Sequence, residues 1–172
     1  MLATVAPRVL GPRDGRAVEL ASIGVRFMVG GHDSGGGFSL VEHPMPPRAL
    51  AAPLHKHSRE DEYSFVLEGR VGAQLGKEVV YGQPGDLIFK PRDQWHTFWN
   101  AGDESARILE IISPAGFEHY FEELTDLPSR AGPPDRGQIS AIAARYGLKL
   151  DFDSIPALVE EHGVRFGPAA SR

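Results

Sequence analysis

Three histidines and one glutamate are the residues best placed by type and spacing to act together: His55, His57, Glu62 and His96. On a strand, residues i and i+2 share a face about 6.8 Å apart, so the imidazoles of His55 and His57 can lean toward one point. Glu62 lies five residues past His57, the wrong parity for an unbroken strand, but the polar Ser58-Arg59-Glu60-Asp61 stretch can form a loop or bulge that resets the phase. His96 stands in Gln94-Trp95-His96-Thr97-Phe98, just after a Pro91-Arg92-Asp93 turn. Three imidazoles and one carboxylate make a donor set for a divalent transition metal: Fe, Mn, Ni, Zn or Cu, at about 2.0 to 2.2 Å. One or two coordination positions stay open for water or substrate, and affinity alone does not choose among these metals. A ligating carboxylate can also detach and accept a substrate proton, which makes Glu62 the candidate catalytic base. Phe98 shares strand parity with His96 and is the candidate substrate-binding residue.

The elements that must hold these groups read as strands from about Val18 to Ile112. Extended runs cover 17–29, 38–42, 63–67, 71–75, 79–81, 86–90, 94–99 and 106–112, separated by Gly-, Pro- and Asp-containing turns. Such spacing predicts a closed all-β sandwich or barrel. Trp95, Trp99, Tyr63, Phe65 and Leu67 fall on the outward parity, which predicts a face covered by later helices or by a second subunit, hence a homodimer. Glu60 and Asp61 read as a solvated loop, and His32, His43, His119 and His162 have no partner at ligand spacing.

After Ile112 the period changes. Ser113-Pro114 reads as a helix start, with Phe117, Tyr120, Phe121 and Leu124 forming one apolar stripe. A Pro/Gly-rich connection at 129–137 precedes a second short helix at 139–146. A third helix, 155–162, is opened by Asp153-Ser154 and closed by Gly163. The expected organisation is a barrel over 1–112 and a helical appendage over 113–172 that packs on the barrel or on a dimer partner.

Composition narrows the function. The 172 residues carry a net charge of -5 and no Lys/Arg cluster able to neutralise a row of phosphates, which argues against a nucleic-acid partner. With no cysteine, any metal site must be built from His and carboxylates. No stretch has the roughly 18 apolar residues of a membrane span and no secretory pattern opens the chain, so the expected localisation is cytoplasmic.

Two spaced motifs carry a resemblance. The cupin pattern G-x5-H-x-H-x4-E-x6-G is matched from Ala49, in the leading Gly position, through His55, His57 and Glu62 to Gly69. The second pattern, G-x5-P-x-G-x2-H-x3-N, is matched by Gly85, Pro91, Asp93 in place of Gly, His96 and Asn100. The chain thus resembles the cupin superfamily, and within it the small quercetinase-like bacterial proteins, through 38–42, 55–69 and 113–117. That resemblance implies a jelly-roll β-barrel, a metal-centred pocket for a small-molecule substrate and a homodimer. The function it implies is a metal-dependent dioxygenase acting on a small aromatic or enol-type substrate. A non-redox isomerase, cyclase or lyase and a non-catalytic ligand-binding protein are the alternatives.

Overall fold

The computed structural model describes residues 6–127 and 135–168. Strands β1 (Ala17–Leu20), β2 (Ile23–Val29), β3 (Ser39–Met45), β4 (Leu54–His57), β5 (Asp61–Glu68) and β6 (Val71–Leu75) are followed by β7 (Glu78–Gly82), β8 (Leu87–Lys90), β9 (His96–Asn100) and β10 (Ala106–Ser113). A single helical turn, α1 (Gly31–Ser34), lies between β2 and β3. Beyond β10 come α2 (Glu118–Thr125), α3 (Arg136–Arg145), β11 (Leu148–Asp151) and α4 (Ile155–His162).

The strands form two antiparallel sheets, ordered β1-β2-β3-β10-β5-β8 and β11-β4-β9-β6-β7. From β3 to β10 the chain passes repeatedly from one sheet to the other, which is jelly-roll connectivity. Inward and outward residues alternate along each strand. In β10 the buried positions are Ala106, Ile108, Glu110 and Ile112, and in β5 they are Glu62, Ser64 and Val66. Apolar side chains such as Met45, Val66, Val71, Ile88, Phe98 and Ile108 fill one part of the interior. The inward rows therefore mix an apolar core with a polar group of side chains.

The C-terminal elements cover the barrel. Phe117, Tyr120 and Phe121 pack with Ile142, Ala143 and Leu148 against Val25, Val41 and Ile112. Leu158 of α4 and Val164 close over Leu50 and Trp99. Burying each of these large side chains contributes about 1.5–3 kcal/mol. Asp135 caps α3 by accepting a bond from the Gln138 backbone N–H at 2.8 Å, and the Asp135 N–H in turn donates to Gln138 Oε1 at 3.2 Å.

Several elements differ from the expectation. The run 17–29 is a hairpin, its turn at Ala21 and Ser22, with Ala21 at φ 51. Alanine gives no turn signal, so the break is silent in the sequence. Ser113-Pro114 does not start a helix: Ser113 still pairs with Asp61, and α2 begins at Glu118. Strand pairing outcompetes the local capping preference there. The second helix starts earlier than expected, at Arg136, and β11 is an additional strand. Trp99 is covered by α4, whereas Trp95 and Phe65 remain exposed among the described residues. No helix is long and apolar enough to cross a membrane among the described residues.

Candidate metal centre

His55 and His57 are the inward residues of β4, flanked by β9 on one side and β11 on the other. The β4–β9 pairing places His55 directly opposite His96, while Leu148 and Leu150 of β11 face His57 and His55. Residues 58–60 then carry the chain across to the opposite sheet, where Glu62 is the first buried residue of β5. This crossing between layers, rather than a bulge within one strand, resets the parity of Glu62. The start of the loop is tied: the Asp93 N–H donates to the His57 carbonyl at 2.6 Å and the Ser58 N–H to the Gly147 carbonyl at 3.0 Å. Asp93, in the place of the motif glycine, adopts φ 61, a region that Asp tolerates better than most residues.

One donor atom from each of His55, His57, Glu62 and His96 lies within 4.8 Å of all the others, and all four residues are buried. The cluster could hold a metal ion. His55 Nδ1 lies 2.9 Å from the Pro53 carbonyl and His96 Nδ1 lies 3.0 Å from the Gln94 carbonyl. A carbonyl can only accept, so each Nδ1 carries the proton and each Nε2 keeps its lone pair. His96 Nε2 faces Glu62 Oε2 at 3.1 Å, and His57 Nε2 faces Glu62 Oε1 at 3.3 Å. Burial pushes the His96 imidazole below its ordinary value, with Glu62 opposing that in part, and it pushes His55 well below. A neutral His96 thus sets a lone pair against a carboxylate oxygen, and a divalent cation shared by both resolves the clash. His57 Nε2 is in addition a buried nitrogen without a hydrogen-bond partner among the described residues. The residues present fit a metal.

Behind Glu62 stands a buried charged group. The Lys90 ammonium forms ion pairs with Glu62 at 3.0 Å and Glu110 at 2.9 Å, and lies 4.4 Å from the centroid of the Phe98 ring. Ser64 donates to Glu110 at 2.8 Å. Burial acts to raise the Glu62 carboxyl, but Lys90 and His57 outweigh it and hold the group well below the usual carboxylate range. Burial pushes Glu110 up to about 7 against the pull of Lys90. Glu110 and Glu62 keep Lys90 raised although burial acts to lower it.

The structure brings the four predicted ligands together and places Phe98 in the barrel interior, its ring 6.0 Å from that of His43. Glu60, expected in solvent, is instead buried, with Oε2 3.4 Å from His57 Nδ1. Asp61 pairs with Arg92 at 2.8 Å. Phe117 sets its ring across that of His57 at 4.3 Å between centroids. Next to it, the Glu118 carboxylate accepts bonds from the Gly31 and Gly116 N–H groups at 2.8 and 2.6 Å, fixing the start of α2. Sequence reasoning missed Glu60, Lys90, Glu110 and Phe117 as neighbours of the site. A signal existed for Glu110, a charge on the inward parity of an otherwise apolar row with Ile108 and Ile112.

Comparison with known proteins agrees with this architecture. Residues 42–112 match the cupin domain family. Polyketide synthase CurC of Streptomyces cyaneus is 35% identical over 60 residues, a match covering 35% of this chain and 39% of CurC. KdgF from Halomonas sp. superposes with a TM-score of 0.58 at 16% identity, covering 66% of this chain and 99% of KdgF. The nucleoside dehydratase Pac13 superposes with a TM-score of 0.53 at 15% identity, covering 66% of this chain and 88% of Pac13. The stretch that carries all four donors, residues 42–112, thus matches the cupin domain family and lies within a two-sheet barrel of the same fold as these structures.

Proposed function

We propose that the chain is a metal-dependent enzyme acting on a small aromatic or enol-type substrate, with a quercetinase-like dioxygenase as the leading reaction class. The carrying observation is the His96–Glu62 pair, where a buried imidazole nitrogen and a carboxylate oxygen meet at 3.1 Å inside a four-donor cluster. His55, His57, Glu62 and His96 would hold the ion. A divalent transition metal there supplies Lewis acidity toward a substrate oxyanion and, for a redox-active ion, a centre for oxygen chemistry. Imidazole ligands add no negative charge and Glu62 adds one, so a divalent ion there would keep net positive charge and favour an anionic enolate or phenolate oxygen over a neutral one. Glu62 is the base nearest that position and Phe98 the apolar surface against which a planar substrate would rest. The protein is proposed to act as a cytoplasmic homodimer, with the exposed Phe65, Leu87 and Phe89 as its apolar contact face.

A non-redox reaction is the second reading. CurC is named for polyketide synthesis and Pac13 is a dehydratase, and β-dicarbonyl chains enolise without an oxidant. The test begins with metal analysis of protein purified without a metal-binding tag, beside a His57→Ala/His96→Ala variant. Near-stoichiometric metal lost in the variant supports the site, and no metal even after reconstitution overturns it. Oxygen uptake with phenolic and enol substrates then separates the readings, since the non-redox reaction runs equally well without oxygen.

A further inference from the structure

Glu62 is held from behind by a ladder across three adjacent strands. Lys90 of β8 is paired in register with Glu62 of β5, and Glu110 of β10 is paired with Ser64, two residues along the same inward row. Glu62, Ser64, Lys90 and Glu110 are all buried, and Lys90 is 1% exposed. A lysine removed from water needs its charge balanced, and here two carboxylates and the Phe98 ring surround one ammonium. Both carboxylates engage it through a single oxygen, Oε2 of Glu62 and Oε2 of Glu110. The other oxygen of Glu62 faces His57.

The proposal rests on the metal-centre reading above. We propose that Lys90 and Glu110 are positioning residues which set how strongly Glu62 binds the cation: Lys90 competes for the Glu62 carboxylate, and Glu110 holds Lys90 back. A fixed positive charge beside a ligand carboxylate weakens that ligand toward a cation, and the effect is large where water does not screen it. Glu110 restores the balance by sharing the ammonium. The arrangement leaves Glu62 divided between the ion and Lys90.

The two partners are then predicted to shift metal affinity in opposite directions. Glu110→Gln leaves Lys90 leaning on Glu62 alone and should weaken Co(II) binding roughly tenfold or more, the range of outer-shell substitutions. Lys90→Met removes the competitor and should tighten Co(II) binding by a similar factor while changing the visible absorption of the bound ion. Lys90→Met/Glu110→Gln should regain what Glu110→Gln loses. Affinity is read by competition with a chromophoric chelator, and circular dichroism checks that each variant is folded. A merely structural ladder would weaken binding in both single variants, and that result overturns the proposal. So do variants indistinguishable from the parent in affinity and spectrum. Should Lys90→Met not fold, Lys90→Arg with Glu110→Gln decides: retention of the charge must retain the loss. A parent that binds no Co(II) overturns the metal centre itself and the proposal with it.

Discussion

Glu60 Oε2 lies 3.4 Å from His57 Nδ1, on the side of the ring away from Glu62. Neither atom meets hydrogen-bond geometry with any partner among the described residues, and both are buried. His55 and His96 instead have their Nδ1 atoms on backbone carbonyls. His57 is thus the ligand imidazole whose Nδ1 faces a carboxylate in place of a carbonyl, and a mutation can remove that group. Glu60→Ala should lower metal affinity about 10- to 100-fold while His55→Ala and His57→Ala abolish binding. Chelator competition measures this, and an unchanged affinity would show that Glu60 does not orient the ring.

Phe117 packs directly on a candidate ligand imidazole. Its ring stands against His57 and also contacts Tyr120 and Phe121, with centroids at 5.0 and 5.2 Å. Phe117→Ala should destabilise the fold by about 3–5 kcal/mol, since the space is enclosed by packed aromatics. It should also speed removal of bound metal by a chelator several-fold, because a wall of the site is lost. Stopped-flow chelation is the readout, and an unchanged rate in folded variant protein would place the route to the metal elsewhere.

His43 gives the fold a defined acid sensitivity. Burial pushes its imidazole down to about 4, despite the bond between Nδ1 and the Gly24 carbonyl at 3.0 Å. The ordinary value is 6.5, so between those limits the unfolded chain binds the proton and the native state does not. Stability from this group is therefore complete above pH 6.5 and declines as pH falls toward 4, by about 3 kcal/mol in total. Urea unfolding of metal-free protein at pH 7 and pH 4.5 should show the loss. In His43→Gln the difference between the two pH values should shrink by about 2 kcal/mol, whatever the buried ligand histidines contribute to both proteins. An identical pH dependence in the variant would falsify this assignment.

What was legible in the sequence is what repeats or has a fixed spacing. Strand alternation gave the barrel, and the fixed spacings of His55, His57, Glu62 and His96 gave residues that the folded chain gathers at one point. Glycine 163 marked the end of α4, where it adopts φ 61. The misreadings around the site share a cause: each depends on which strands become neighbours. Glu60 looks like solvated loop until the passage from β4 to β5 buries it, and Lys90 looks like an ordinary charge beside Pro91 until β8 lies next to β5. Ser113-Pro114 has a helix-starting composition, yet pairing of Ser113 with Asp61 keeps it in β10. Periodicity reports a face and says nothing about what that face meets.

Gly72 and Trp99 show how closely the outer layer is fitted. They pair across β6 and β9, and a Cβ on Gly72 would overlap the indole at Cε2 and Nε1. The indole has no room to retreat, because the His162 ring stacks on it at 4.1 Å between centroids, tilted by 14°. Leu158 and Val164 belong to the same packed cluster. Gly72→Ala must therefore displace either the indole or α4, and overpacking of this kind costs about 1–3 kcal/mol. For a chain of this length that is a fall in Tm of about 3–8 °C. Trp99→Phe alone should also destabilise, by leaving space under α4, but the smaller ring clears the new methyl group. The double variant should then be more stable than the sum of the two single losses, by about 1 kcal/mol or more. Thermal unfolding of the four proteins measures the coupling, and strictly additive losses would mean that the alanine at position 72 is accommodated by movement of β6 and not by the indole.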